Sequence, residues 1–230
     1  MYWLDSRGRD KAGLIAQDLA SEAIRVVAES TQGDVAEVLL NPRTREAEAY
    51  AVNYLKKEWT PIGDAVQADI AAINAQVEGQ WSVASRNHDD TLWVVSVDEV
   101  ARPISYRLYD RGVRKLRPLF VTRPELEGKP LASMYGREIR SRDGLTLTAF
   151  LTLPVGTDPD GDGKPAAPVP LVLNVHGGPW SQDTFGYDAE AQWMANRGYA
   201  VLQVNYRGVN GIPEALHRGR HQRVWWQDAR

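Results

Sequence analysis

Residues 171–183, LVLNVHGGPWSQD, run from an apolar segment into one histidine, two glycines, a proline and a tryptophan. Three chemistries use stretches of this kind. A phosphate-cradling turn needs the GxGxxG spacing or a P-loop Lys-Ser/Thr pair, and neither is present. A metal centre needs partner ligands. The other histidines are His88, His217 and His221, and although the last two stand four apart, nothing around them reads as a zinc helix. An oxyanion hole needs only backbone N–H groups at a strand end, aimed at the oxygen that becomes negative in acyl transfer. Proline has no N–H, so a donor in this loop is Gly177, Gly178 or Trp180. The plain alternative is a tight turn in which the glycines serve only the backbone.

A second cluster, Asp158, Asp160 and Asp162, alternates like the start of a calcium loop. Such a loop needs a carboxylate at its twelfth position. That position is Val169, no helical pattern flanks it, and the segment reads as a solvated loop.

The elements around these residues fall into two regimes. Up to about residue 122 the pattern is short strands and polar turns: 14–16, 24–28, VAEVLL, AEAYAVNYL, 81–85, 91–97 and 104–109, with Asn41-Pro42 as a strong turn signal. One segment departs from it. PIGDAVQADIAAINAQVEG spaces Ala65, Ile70, Ile73 and Val77 as one face of a helix. Short strands at this spacing predict a sandwich, barrel or propeller, and the turn-flanked hairpins match propeller blades, without a strict sequence period. Residues 123–133, rich in Pro, Gly and charge, read as a linker. Beyond it, MYGREIRS and LTLTAFLTLP are alternating strands joined through RDG. VPLVLNV, a helix over YDAEAQWMANRG ending at Gly198, and YAVLQVNY then form a βαβ unit. An α/β domain is therefore expected from about residue 132, with the 176–180 loop at the strand end where ligands bind in such sheets.

Composition is that of an ordinary globular chain: 230 residues, 43% hydrophobic, net charge −3. The acidic excess gives no reason to expect nucleic-acid binding, and no apolar run approaches bilayer length. With no cysteine, disulfides and thiolate metal sites are excluded. The N-terminus, MYWLDSRGRDKAG, is not a signal peptide and reads like the middle of a β-structure. The native start is therefore expected upstream, so compartment, cytoplasmic or periplasmic, stays open.

NVHGGPW, followed by a helix that leads into RGYAVLQVNYRGVNG, resembles the prolyl oligopeptidase family of serine peptidases, in its acylaminoacyl-peptidase and dipeptidyl-peptidase branch. The resemblance is strong over 135–211 and weaker over 1–130. It implies a partial β-propeller over 1–122, the linker 123–133, and the start of an α/β-hydrolase (peptidase) domain over 134–211. It implies further that Gly178 supplies an oxyanion-hole N–H and that His176 shapes the loop. His176, Gly177, Trp180, Tyr206 and Arg207 would border the site, and Asn205, Tyr206, Arg207 and Gly208, which match a family segment beside the active site, are read as framework. It implies a peptide substrate and no cofactor or metal, and leaves the oligomeric state open.

The nucleophile of that family lies in a GxSxG elbow. None of Ser6, Ser21, Ser30, Ser82, Ser85, Ser96, Ser105, Ser133, Ser141 and Ser181 has glycines at that spacing. The triad members follow the strand that ends near Tyr206, so none is expected in these residues, and the chain alone is expected to be inactive. Residues 212–230 depart from the family continuation. Codons chosen for them and read one base out of frame give FRKRFIEAGINECGGKMHD, which resembles that continuation, so a frameshift after about Gly211 is expected. The other readings are a truncated α/β-hydrolase esterase and a non-catalytic propeller binding module.

Overall fold

The computed structural model describes residues 1–9, 11–178 and 181–206. The first half is three open antiparallel sheets. Strands β1 (Tyr2–Asp5), β2 (Gly13–Gln17) and β3 (Ile24–Ala28) form one meander, and β4 (Val35–Leu40), β5 (Ala47–Asn53) and β6 (Lys57–Pro61) the next. After helix α1 (Gln67–Asn74), strands β7 (Gln80–Arg86), β8 (Leu92–Asp98), β9 (Ser105–Asp110) and β10 (Lys115–Val121) form the third. Asn41 turns the chain between β4 and β5 because its Oδ1 accepts the N–H groups of Arg43 and Thr44.

Strand β8 shows why the third sheet forms. Its residues alternate, so Trp93, Val95 and Val97 all point inward and are no more than 1% exposed. They pack with Ile70 and Ile73 of α1 and with Trp81 and Tyr109. Around Trp93 sits a charged frame. Asp90 accepts from Arg86, Arg111 and the Trp93 indole N–H, and both guanidiniums lie over the indole ring, 4.7 and 5.1 Å from its centroid. Glu48 completes the Arg86 pairing and Asp69 that of Arg111. Each buried cation thus has a carboxylate, which it needs once out of water.

Two strands stand where the sequence pattern predicted none. KLRPLFV, now β10, contains Pro118, which cannot donate to a ladder. It is tolerated because β10 is the edge of its sheet and its register shifts between Pro118 and Phe120. KEWTP, now β6, carries Glu58 and Thr60 on its exposed face and is also an edge. The helix is shorter than its apolar spacing suggested: Ala65 and Val77 fall outside Gln67–Asn74.

The second half is one mixed sheet, in the order β11 (Ser133–Arg140), β12 (Thr146–Leu153), β14 (Ala200–Val204), β13 (Leu171–Asn174). The β11–β12 hairpin turns through Gly144 at a φ of +86°. Strands β13 and β14 are parallel and joined by α2 (Ala189–Ala195), whose N-terminus is capped by the Asp188 side chain accepting from Ala191 N–H at 2.7 Å. Among the described residues strand β13 has one neighbour, and Leu171, Leu173 and, just past its end, Val175 are more than half exposed.

The mixed sheet packs directly on the antiparallel sheets. Val100, Met134, Phe150 and Phe185 form a shared apolar cluster. Beside it Asp98, at the end of β8, accepts the Tyr187 N–H on both carboxylate oxygens, at 3.0 and 2.8 Å. Gln80 donates to the Phe185 carbonyl, and Tyr54 donates to Glu138 at 2.8 Å. A Cβ at Gly136 would come within 2.8 Å of the Leu55 carbonyl oxygen, so β11 meets the β5–β6 turn backbone to backbone.

Candidate functional site

The loop singled out in the sequence leaves the end of β13, beside the parallel strand β14. Its first residues are set by local forces. The His176 ring stacks on Tyr206, with centroids 4.5 Å apart and planes 17° from parallel. The Tyr206 hydroxyl donates to the His176 carbonyl at 3.3 Å. His176 Nδ1 lies 2.8 Å from the Gly177 carbonyl oxygen, a distance that places the ring proton on Nδ1. Nε2 is buried, with no hydrogen-bond partner among the described residues. Gly177 and Gly178 are exposed. The imidazole is thus folded inward while the two glycines present their backbone outward. That arrangement suits a backbone donor to a ligand and does not suit a histidine reaching for a substrate proton.

Below the loop lies a polar cluster on the face of the sheet. Thr148, Gln203 and Asn205 are each no more than 5% exposed. Asn205 accepts the Asp183 N–H on Oδ1 at 2.7 Å and donates from Nδ2 to the Asp183 carbonyl at 2.9 Å and to Thr148 Oγ1 at 3.1 Å. Gln203 donates to the Asp183 carboxylate at 3.1 Å. Burial pushes the Asp183 carboxyl above the usual carboxylate range, against the opposing pull of His176 and the Gln203 hydrogen bond. Its second oxygen, like Gln203 Oε1, is buried without a partner among the described residues.

Of the residues expected to border a site, the structure brings His176, Gly177, Gly178 and Tyr206 together at one end of the parallel pair. Trp180, Arg207 and Gly208, and the whole of 212–230, lie outside the described residues. The sequence reading passed over Asp183, Gln203 and Thr148. A signal existed for Gln203: with Asn205 it places two amides at i and i+2, hence on one face, inside the otherwise apolar run YAVLQVNY.

No family model matches the chain. Single proteins do. The chain is 47% identical over 212 residues to dipeptidyl aminopeptidase BIII of Pseudoxanthomonas mexicana, covering 92% of this chain and 31% of that protein. It is 31% identical over 234 residues to dipeptidyl peptidase family member 6 of Caenorhabditis elegans, covering 94% and 31%. Among solved structures, prolyl oligopeptidase B of Galerina marginata superposes with a TM-score of 0.65 at 18% identity, over 95% of this chain and 30% of that one. Porphyromonas gingivalis dipeptidyl peptidase 4 gives 0.63 at 16%, over 94% and 30%. The chain spans about a third of the length of the curated relatives it matches. The relatives are peptidases, and that is the class of protein in which this sequence and this fold occur. More narrowly, these relatives and neighbours are of the prolyl oligopeptidase family, and that is the family the chain resembles.

Proposed function

We propose that this chain is a portion of a serine-type peptidase that hydrolyses short peptides. In this reading β1–β10 are blades of a β-propeller (1–122), 123–133 is the linker, and 134–211 opens the α/β-hydrolase domain. The observation that carries the reading is the outward backbone of Gly177 and Gly178 at the end of a parallel strand, with His176 turned inward onto Tyr206. Attack of a serine on a peptide carbonyl puts negative charge on its oxygen, and a preoriented Gly178 N–H stabilises that charge. His176 shapes the loop and is not the base. The nucleophile and base come from sequence other than these 230 residues, which contain no GxSxG. Residues 1–230 alone are therefore inactive. An esterase or a bare binding module fits less well, because the antiparallel sheets pack on the mixed sheet through the Phe150–Phe185 cluster.

The test is a chimera in which residues 1–206 replace the matching stretch of the 47% identical peptidase. It should cleave dipeptidyl substrates. Gly178→Pro, which removes the N–H, should lower kcat about 10²–10³-fold, the loss expected for one oxyanion donor. Gly178→Ala keeps the N–H and should retain most activity. Equal activity of the proline variant and the parent chimera would refute the assignment. Residues 1–230 on their own should take no label from a fluorophosphonate, and a labelled serine in them would overturn the claim of inactivity.

A further inference from the structure

The loop that follows β13 is held at two points, and both holds come from the same place. At its start, Tyr206 stacks on the His176 ring and donates to the His176 carbonyl. Further along, Asn205 grips residue 183 through both its N–H and its C=O. That two-point pairing by one side-chain amide imitates a rung of a β-ladder. The amide cannot flip without losing both bonds, because Thr148 Oγ1 takes its remaining donor position and the backbone N–H of Asn205 is itself bound to the Thr148 carbonyl at 2.9 Å. Gln203 adds a third tie, to the Asp183 carboxylate. Gly177 and Gly178, between the two holds, have no side chain with which to anchor themselves.

We propose that Asn205 and Tyr206 are positioning residues, a two-point latch by which the end of β14 sets the orientation of the Gly178 N–H. The inference rests on the reading of Gly178 as the oxyanion donor. A donor that has to reorient during the reaction loses most of its effect, so a latch on its backbone acts on the rate of the chemical step and not on substrate affinity. A residue that merely stabilised the fold would instead loosen the whole sheet.

Two measurements separate these cases. In the full 230-residue chain, amide exchange at Gly177 and Gly178 should rise about tenfold or more in Asn205→Ala and in Tyr206→Phe, while amides of β8 and β12 exchange as before. In the chimera the same substitutions should lower kcat about 10–100-fold and leave KM within about twofold. Asn205→Asp keeps the acceptor for the Asp183 N–H and should fall between parent and Asn205→Ala. Tyr206→Phe removes one hydroxyl from a half-buried ring, so it remains informative where Asn205→Ala does not fold. Unchanged exchange at both glycines, equal loosening of β8 and β12, or a rise in KM at constant kcat would each overturn the latch. A parent chimera insensitive to Gly178→Pro would sink the oxyanion reading instead, and the exchange measurement would still decide whether the latch exists.

Discussion

Gly186 lies where the two halves of the molecule touch, and replacing it with alanine tests how they are joined. Its φ is +148°, a region that residues with a Cβ rarely enter, and a Cβ built there stands 2.5 Å from Asp98 Oδ2 and 3.2 Å from Gln80 Nε2. Alanine therefore costs about 1–3 kcal/mol in backbone strain. It also drives the Asp98 carboxylate off the Tyr187 N–H, and a hydrogen bond to a charged group is worth about 1.5–3 kcal/mol. Together these come to about 2.5–6 kcal/mol for Gly186→Ala. Asp98→Ala alone should cost about 2–3 kcal/mol, since it leaves the Tyr187 and Val100 N–H groups without their acceptor. In the double variant the obstacle to the new methyl is gone and the hydrogen bonds are lost only once. The pair should then be about as unstable as Gly186→Ala by itself, with a coupling of about 2 kcal/mol. Urea unfolding followed by tryptophan fluorescence measures all three. Additivity within about 0.5 kcal/mol would show that the methyl does not meet the carboxylate, and would refute the close approach on which the argument rests.

Four further outcomes are expected. Burial raises the carboxyl of Asp98 above its ordinary value, so the native state holds that proton more tightly than the unfolded chain does. The stability of the parent relative to Asp98→Asn should therefore be greatest below the unfolded carboxylate pKa and decline as pH rises through the native one. A difference that grows with pH in urea titrations would contradict this. Asp90→Ala strips the shared acceptor from Arg86 and Arg111 beside Trp93 and should destabilise by about 3–5 kcal/mol, softened where Glu48 and Asp69 still pair the guanidiniums. Denaturation midpoints report it. Trp93→Ala, at a fully buried site, should cost about 3–5 kcal/mol by the same measurement. Leu173→Lys places a charge on β13, an apolar edge strand among the described residues, and should reduce self-association of residues 1–230 in light scattering, with little change in unfolding midpoint.

Several elements were legible in the sequence because their signals are local. The alternation of Trp93, Val95 and Val97 is a period-two pattern, and it reappears as the buried face of β8. The apolar runs VPLVLNV and YAVLQVNY, with a capped helix between them, reappear as the parallel pair β13–β14 crossed by α2. The HGG loop was visible because glycine, proline and histidine after an apolar strand are chemically unusual there. Strands β6 and β10 were not legible, since an edge strand needs no inward alternation on both faces and tolerates the charges and the proline that argue against it.

By itself, then, the sequence determined the order of the elements other than β6 and β10, the absence of cysteine chemistry, the lack of a GxSxG serine in these residues, and the loop on which the oxyanion assignment rests. Only the tertiary structure decided what holds that loop. Asp183 and Asn205 are 22 positions apart, and Thr148 is 57 from Asn205, yet they meet in one buried hydrogen-bonded cluster. Asp98 and Tyr187 are 89 apart and join the two halves. No periodicity encodes such pairings, because Asn205, Thr148 and Asp98 meet partners that arrive only when the sheets pack. Burial then enforces the pairing, since an amide or carboxylate without a partner costs more inside the protein than it does in water.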